Sequence, residues 1–388
     1  MEGSTFVIHD LRIKPTFHLL VHGLLRHRKS GRKAIVKKIL VIQQKMIGDV
    51  LASSILCNNL KSIYPDSRID YLIYPFTRPV VENNPNIDNL ILFKDEFRKS
   101  KKALLRFLVS IRKTKYDIVI DAYGKLESNL VVGVSGAKKK IGFYKSYTKF
   151  VYDETIREKS KPDTDAGLAI ENRLLLLKSL SGGKTLDNRP KIFLTDDEIE
   201  NGKRILESHN IDLSKKLYMI GVLGSGGNKT YPFPFMARLL DEIVAQTDAT
   251  LLFNYMPIQE AEAREIFEMC APKTQENIKF HIVPGSIREF LSLTYHCDAL
   301  IGNEGGAVNM AKALLKPTFT IFSTWIKKEA WNAFDDGIRN VSVHLKDFKP
   351  QLYGNKSAKD MKDDAMELYG QFTPDLILPE LRIYLERN

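Results

Sequence analysis

Two doubly wound α/β domains in tandem are the fold predicted here, on three observations. Short continuous apolar runs of strand length alternate with helical stretches from Lys38 onward, the pattern of βαβ units and parallel sheets. The alternation breaks in a turn-rich stretch at 182–190 (Gly182, Gly183, Asn188, Arg189, Pro190) and then restarts. A chain of 388 residues is too long for one ordinary core and suits two. The expected boundaries are 1–36 for a basic extension, 37–185 and 186–350 for the two domains, and 351–388 for a C-terminal helical segment.

In the first domain, 38–43 is a continuous apolar run and reads as a buried parallel strand. A helical pattern covers 50–63 and stops at Tyr64, Pro65 and Asp66. Strands at 69–74, 90–93 and 117–121 follow, with a helix at 103–112. The second domain opens on a helix at 196–207 whose acidic first turn suits the helix dipole. Its strands are expected at 216–223, 250–253, 279–283, 299–302 and 318–322. Helices at 235–246, 261–270, 287–296 and 307–315 lie between them, and 376–387 closes the chain as a helix after Pro374.

Composition narrows the function. Hydrophobic content of 44% and charged content of 27% belong to a folded chain. The three cysteines (Cys57, Cys270, Cys297) are far apart and odd in number, so neither a disulfide framework nor a zinc motif follows, and a reducing cytoplasm is expected. No apolar stretch is long enough to cross a bilayer, and no secretory signal is expected, since 1–36 lacks a continuous apolar core with a cleavage site. A net charge of +11 suits nucleic acid, an anionic membrane or a phosphorylated substrate, and equally a basic solvated surface. The apolar run at 18–25 precedes Arg26, His27, Arg28, Lys29, Arg32 and Lys33. That pattern fits an interfacial helix with a basic flank, a helix packed on the first domain, or a loose arm.

Open α/β sheets bind ligands beyond the carboxyl ends of their strands, so the strand-to-helix turns carry the chemistry. Three stand out. After the first strand, Gly48 lets the backbone approach a ligand, and Asp49 either accepts the proton of an attacking hydroxyl or caps the helix. The stretch 221–230 reads as a phosphate cradle, with backbone amides such as that of Gly226, the Ser225 hydroxyl and Lys229, or as a plain glycine-rich turn. It is not a Walker loop, because Asn228 stands where glycine is required and Pro232 and Pro234 delay the helix. The third, 301–310, runs from a strand through Asn303, Glu304, Gly305 and Gly306 into a helix whose free amides favour a diphosphate. Glu304 is a poor neighbour for that anion unless it bonds a ribose or a backbone amide. Asp163 and Asp165 have metal-ligand spacing but lie in a polar stretch read as a loop, and His281 and His296 read as structural. Trp325 and Trp331, beside Lys327 and Lys328, form a substrate rim or ordinary packing.

Gly48-Asp49 after the first strand, Lys229 ahead of Tyr231-Pro232, and the Gly302-Asn303 turn, in this order, resemble glycosyltransferase family 9, the lipopolysaccharide heptosyltransferases. The likeness runs from Lys38 to about Trp325. It implies the GT-B fold, with an N-terminal acceptor domain facing a C-terminal nucleotide-sugar domain, and inverting, metal-independent catalysis with no cofactor. Asp49 would then be the general base and Lys229 the donor-phosphate ligand, with Glu260 the nearest match to the ribose contact. Where the family commonly shows Asn-Asp-Ser/Thr-Gly and then a histidine, this chain has Asn303-Glu304-Gly305-Gly306 and then Asn309. The implied partners are a nucleotide-sugar donor, by family default ADP-heptose, and an anionic glycolipid acceptor at the inner membrane surface, not nucleic acid. Lys45, Gly48 and Lys125 are expected on the acceptor side, with Lys138, Lys139 and Lys140 as contacts there or a solvated turn. Two readings compete: a nucleotide-sugar epimerase, which would turn over without an acceptor, and a nucleotide-sugar binding protein that has lost activity.

Overall fold

β1 (Lys38–Ile42) is the middle of a six-stranded parallel sheet in the computed structural model, which describes residues 37–354 and 358–388. Its residues Ile39 to Ile42 are fully buried, which is why the run is apolar without alternation. The other strands are β2 (Arg68–Ile73), β3 (Asn89–Leu92), β4 (Ile118–Asp121), β5 (Lys139–Phe143) and β6 (Glu154–Ile156), in the order β3-β2-β1-β4-β5-β6. The second sheet, also parallel, contains β7 (Leu217–Gly221), β8 (Thr250–Phe253), β9 (Ala299–Asn303), β10 (Thr318–Ile321) and β11 (Asn340–Val343), in the order β11-β10-β9-β7-β8.

Strand order reverses beside β1 in the first sheet and between β7 and β9 in the second. Those are the switch points at which a doubly wound sheet opens a crevice. The turns after β1, β7 and β9 therefore begin at the three places where ligand chemistry was expected. In the second sheet, Gly221 pairs with Gly302, whose φ is 140°. A Cβ at Gly302 would stand 2.3 Å from the Gly221 carbonyl oxygen, so only glycine lets the two strand ends run this close.

Several expected elements differ. The stretch 279–283 is not a strand: Ile278 makes a single parallel bridge to Leu251, and the segment is confined between the short helix Pro272–Asn277 and Pro284. β5, β6 and β11 were not expected. β5 begins in the lysine run, and its polar character hides it from a hydrophobicity reading. Lys138, Lys139 and Lys140 pair with Asp117, Glu154 and Asp153; Lys138 stays largely exposed, while Lys139 and Lys140 open β5. The closing helix, Pro374–Arg387, is part of the second core and not a separate segment. Its residues Ile377, Leu381 and Tyr384 are buried with Phe319 and Tyr231.

Both domains belong to one compact unit, Lys37–Asn388. Apolar side chains from both, including Leu56 and Leu60 from the first and Leu206, Leu291 and Val308 from the second, form one buried cluster. Arg288 of the second domain also donates to the Pro79 carbonyl of the first at 2.9 Å. The interfacial-helix reading of 18–33 lies outside the described residues.

Candidate functional site

Two helix starts meet at the domain interface. The helix Ile47–Ile63 follows β1 and the helix Gly306–Ala313 follows β9, and neither start is capped by a side chain. Their first-turn amides thus have no intrahelical acceptor and carry the positive end of each dipole. The approach is tight. A Cβ on Gly48 would lie 3.0 Å from Asn309 Nδ2, and one on Gly306 would lie 3.8 Å from the Ile47 side chain. Gly48 is therefore a site where two domains come into contact as well as a turn residue.

Around these starts lies a cavity of ≈ 470 Å³. Lys45, Met46, Gly48 and Asp49 line it from the first domain, and Lys229, Glu304, Gly305, Gly306 and Asn309 from the second. The cavity has more cations than acids, since Arg173, Arg189 and Lys312 also face it beside only two carboxylates. An anion is the ligand this balance suits.

Asp49 does not cap its helix. The helix begins at Ile47, so the carboxylate sits within the first turn. Its Oδ1 accepts from Lys45 Nζ at 3.0 Å and from Arg173 Nη2 at 2.9 Å. Neither bond uses Oδ2. Arg173, itself buried, comes from the helix Leu168–Leu175. Its Nε donates to Ser53 Oγ at 2.6 Å and its Nη1 to the Ala169 carbonyl at 2.6 Å. All three of its donor nitrogens are engaged, so the guanidinium holds Asp49 in one orientation. Sequence reading missed Arg173. The only available signal was a charged residue placed in the run Arg173-Leu-Leu-Leu-Leu177, which reads as core.

In the second domain Lys229 ends a short 3₁₀ turn, Gly227–Lys229, and the next helix waits until Phe233, as Pro232 requires. Trp325 donates its indole N–H to the Asn228 carbonyl at 2.9 Å, and its ring lies 5.5 Å from Lys229 Nζ. The ammonium pairs with Glu304 Oε1 at 3.4 Å. That oxygen is buried and accepts no hydrogen bond, so the ion pair is its main compensation. The 221–230 and 301–310 motifs thus converge on one charge pair.

Other expected residues fall elsewhere. Asn303 does not present its amide to a ligand. Nδ2 donates to the Gly221 and Val222 carbonyls at 2.9 and 3.0 Å, and Oδ1 accepts from the Tyr231 amide at 2.8 Å. It staples β9 to the Lys229 loop and so positions the site. Glu260 lies outside the cavity lining, exposed at the start of the helix Glu260–Met269, and pairs with Arg264. Ser225 and Gly226 are exposed, and they and Lys125 are also outside the lining. The Asp163 and Asp165 loop is organised around a cation: Lys159 pairs with both Asp163 and Glu171, and Glu171 also accepts from the Asp163 amide. Among the described residues no group of three or more His, Cys, Asp or Glu side chains could hold a metal ion.

Lys312 adds a titratable cation. It projects from the helix Gly306–Ala313, donates to the Ala333 carbonyl at 2.6 Å, and burial lowers its pKa to about 8, against the partial support of Asp335 and Asp336. Arg189 was read only as part of the linker. It reaches the cavity with its guanidinium 5.0 Å from the Phe334 ring.

Residues 104–359 match the profile of glycosyltransferase family 9 (heptosyltransferase). Lipopolysaccharide heptosyltransferase 1 of Campylobacter coli is 28% identical over 312 residues, which cover 78% of this chain and 88% of the relative. Lipopolysaccharide heptosyltransferase 2 of Escherichia coli is 22% identical across 74% of this chain and 82% of its own. Among solved structures, a family 9 glycosyl transferase from Veillonella parvula superposes with a TM-score of 0.70 at 16% identity, covering 91% of this chain and 98% of that one. The ADP-heptose heptosyltransferase II of Escherichia coli gives 0.65 at 18% identity, covering 90% and 98%. Both have the two-domain fold found here.

Proposed function

We propose, from the premise that this chain belongs to glycosyltransferase family 9, that it is an inverting, metal-independent transferase moving a sugar, by family default heptose from its ADP-linked form, onto an anionic glycolipid of the lipopolysaccharide core. The observation that carries the reading is the meeting of Asp49 and the Lys229–Glu304 pair in one cavity, from opposite domains. The base and the anion ligand stand on opposite sides of a cleft, which suits in-line displacement.

Asp49 takes the proton of the acceptor hydroxyl on Oδ2 while that oxygen attacks the anomeric carbon. Lys45 and Arg173 keep the carboxylate aimed from Oδ1. The bond from the anomeric carbon to the donor phosphate breaks on the opposite face, and the nucleoside diphosphate leaves with the bonding pair. Its charge is met by Lys229 and the free amides at Gly305 and Gly306. No step assigns charge to a metal.

The test is transfer from ADP-, UDP- and GDP-linked sugars to a lipopolysaccharide core acceptor, with and without EDTA. Expected is transfer from the ADP-linked donor, unchanged by chelator. Conversion of the donor with no acceptor present would favour the epimerase reading. Activity lost to EDTA and restored by magnesium or manganese would overturn the assignment of phosphate charge to Lys229.

Lys312 makes nucleotide binding proton-linked. An anion nearby favours its charged form and raises its pKa, so a site half-protonated near pH 8 takes up part of a proton on binding. Calorimetry with ADP at pH 8 in buffers of different ionisation enthalpy should register an uptake of up to about half a proton. At pH 6 the amine is already charged and uptake from it should vanish. Lys312→Met should abolish the uptake at pH 8; an unchanged uptake in that variant would remove Lys312 from the site.

A further inference from the structure

The charge of the chain is not spread evenly. From Lys99 to Phe150 there are thirteen Lys and Arg residues against three acids, a surplus of ten in a chain whose net charge is +11. This stretch builds one face of the first domain: the helix Lys101–Thr114, the helix Leu126–Ser135, and the loop between β5 and β6. The three pieces are tied together. Arg112 Nη1 donates to the Val134 carbonyl at 3.5 Å, Lys145 Nζ to the Gly124 carbonyl at 2.6 Å, and Tyr152 OH to Asn129 Oδ1 at 2.6 Å.

That face exposes large apolar side chains. Phe150 is 83% exposed, Leu126 75%, Tyr147 68% and Leu105 63%, with Leu130 one helical turn beyond Leu126. Cations flank them in the chain, Lys125 beside Leu126 and Lys149 beside Phe150. Lys101, Lys102, Lys125 and Lys149 make no ion pair with any described residue, unlike the paired Lys138, Lys139 and Lys140. Apolar side chains mixed with unpaired lysines are what an interfacial surface needs: the former enter the headgroup region, the latter meet anionic lipid.

The position of this face gives it a purpose. Leu126 follows β4, and Tyr147 and Phe150 follow β5. All strands of the sheet are parallel, so these turns leave the same edge as Asp49 after β1. With β4 between β1 and β5, the lateral offset between those strands is roughly 10 Å. Along the same edge Met46 follows β1 and Phe76 follows β2, and both are exposed.

We propose that this face of the first domain docks on an anionic lipid bilayer, bringing the Asp49 edge to the surface that carries the acceptor. Docking rests on the surface alone; only its purpose rests on the lipid-anchored acceptor proposed above. The occupant is a bilayer rather than a second copy of the chain, because two such faces would bring like charges together.

The full-length chain and its Leu126→Ser/Phe150→Ser variant are compared by sedimentation with two kinds of vesicle, phosphatidylcholine alone and phosphatidylcholine with about one-third phosphatidylglycerol. The parent should bind the anionic vesicles, bind neutral ones far less, and release as salt rises. The double variant should bind about tenfold more weakly or worse, while its ADP affinity, read by calorimetry, stays unchanged. Residues 1–36 remain in both proteins, so their contribution is common to both. Equal vesicle binding by parent and variant overturns the proposal, as does parent binding that ignores lipid charge. A concentration-dependent dimer lost in the variant, with no vesicle binding by either, would assign the face to a second copy instead. Failure of sugar transfer with vesicle binding as expected would sink the functional reading and leave the docking face standing.

Discussion

Asp49→Asn should lower turnover by roughly 10²- to 10⁴-fold, about 3 to 5 kcal/mol of barrier, with ADP affinity nearly unchanged. The substitution keeps the shape of the side chain and removes its basicity. Oδ1 can still accept from Arg173 and Lys45, so the local geometry should persist. In the proposed mechanism the leaving group is held by Lys229 and the helix start in the other domain, which is why donor binding should not follow turnover down. Steady-state kinetics with a verified acceptor and calorimetry with ADP separate the two quantities. Near-parental turnover would mean that the carboxylate only pairs with Arg173 to join two helices. Arg173→Lys is the companion measurement: one charge remains, but the fork reaching Ser53, Ala169 and Asp49 together is lost. Its kcat should fall while ADP affinity again holds.

Fold class and the three strand-end turns that meet at the cavity were legible because they depend on local pattern. β1 is apolar throughout since both of its faces are buried, and Pro232 dictates where the helix after Lys229 begins. What was not legible depends on contacts distant in sequence. β5 looked like a charge run because it opens on Lys139 and Lys140, whose partners Glu154 and Asp153 do not announce themselves in the sequence. Arg173 is 124 residues from Asp49, and a lone arginine in a leucine-rich helix carries no mark of its target. Glu260 was assigned by likeness of position, and it lies exposed beside Arg264, outside the cavity lining. Asn303 had the right place but a different task, since strand ends at a switch point need side chains that hold two turns together as much as ones that bind ligand.

Removal of the Lys229 ammonium should weaken ADP binding by about 1 to 3 kcal/mol, roughly five- to 150-fold, the range for a hydrogen bond to a charged group. Lys229→Ala also leaves Glu304 without its counter-charge beside the phosphate position, so the loss should lie toward the upper end. Glu304→Gln should act in the opposite direction. Glu304 occupies Lys229 at 3.4 Å, and an incoming diphosphate must compete for the same ammonium. Glutamine removes both that competition and a like charge, so ADP should bind equally well or more tightly. A weaker Glu304→Gln complex would show instead that the carboxylate holds the ribose, the one role in which its charge helps the nucleotide. Adenosine, which has the ribose but no phosphate, separates these two cases: its affinity should be indifferent to Glu304→Gln if the residue acts on phosphate, and should fall with ADP if it acts on the sugar. The double variant completes a cycle. If Lys229 and Glu304 are coupled through one diphosphate site, their effects on ADP binding will not add. Additive effects, or a Lys229→Ala protein that binds every nucleotide as the parent does, would place the donor phosphates elsewhere and leave the pair as an interior ion pair of the second domain.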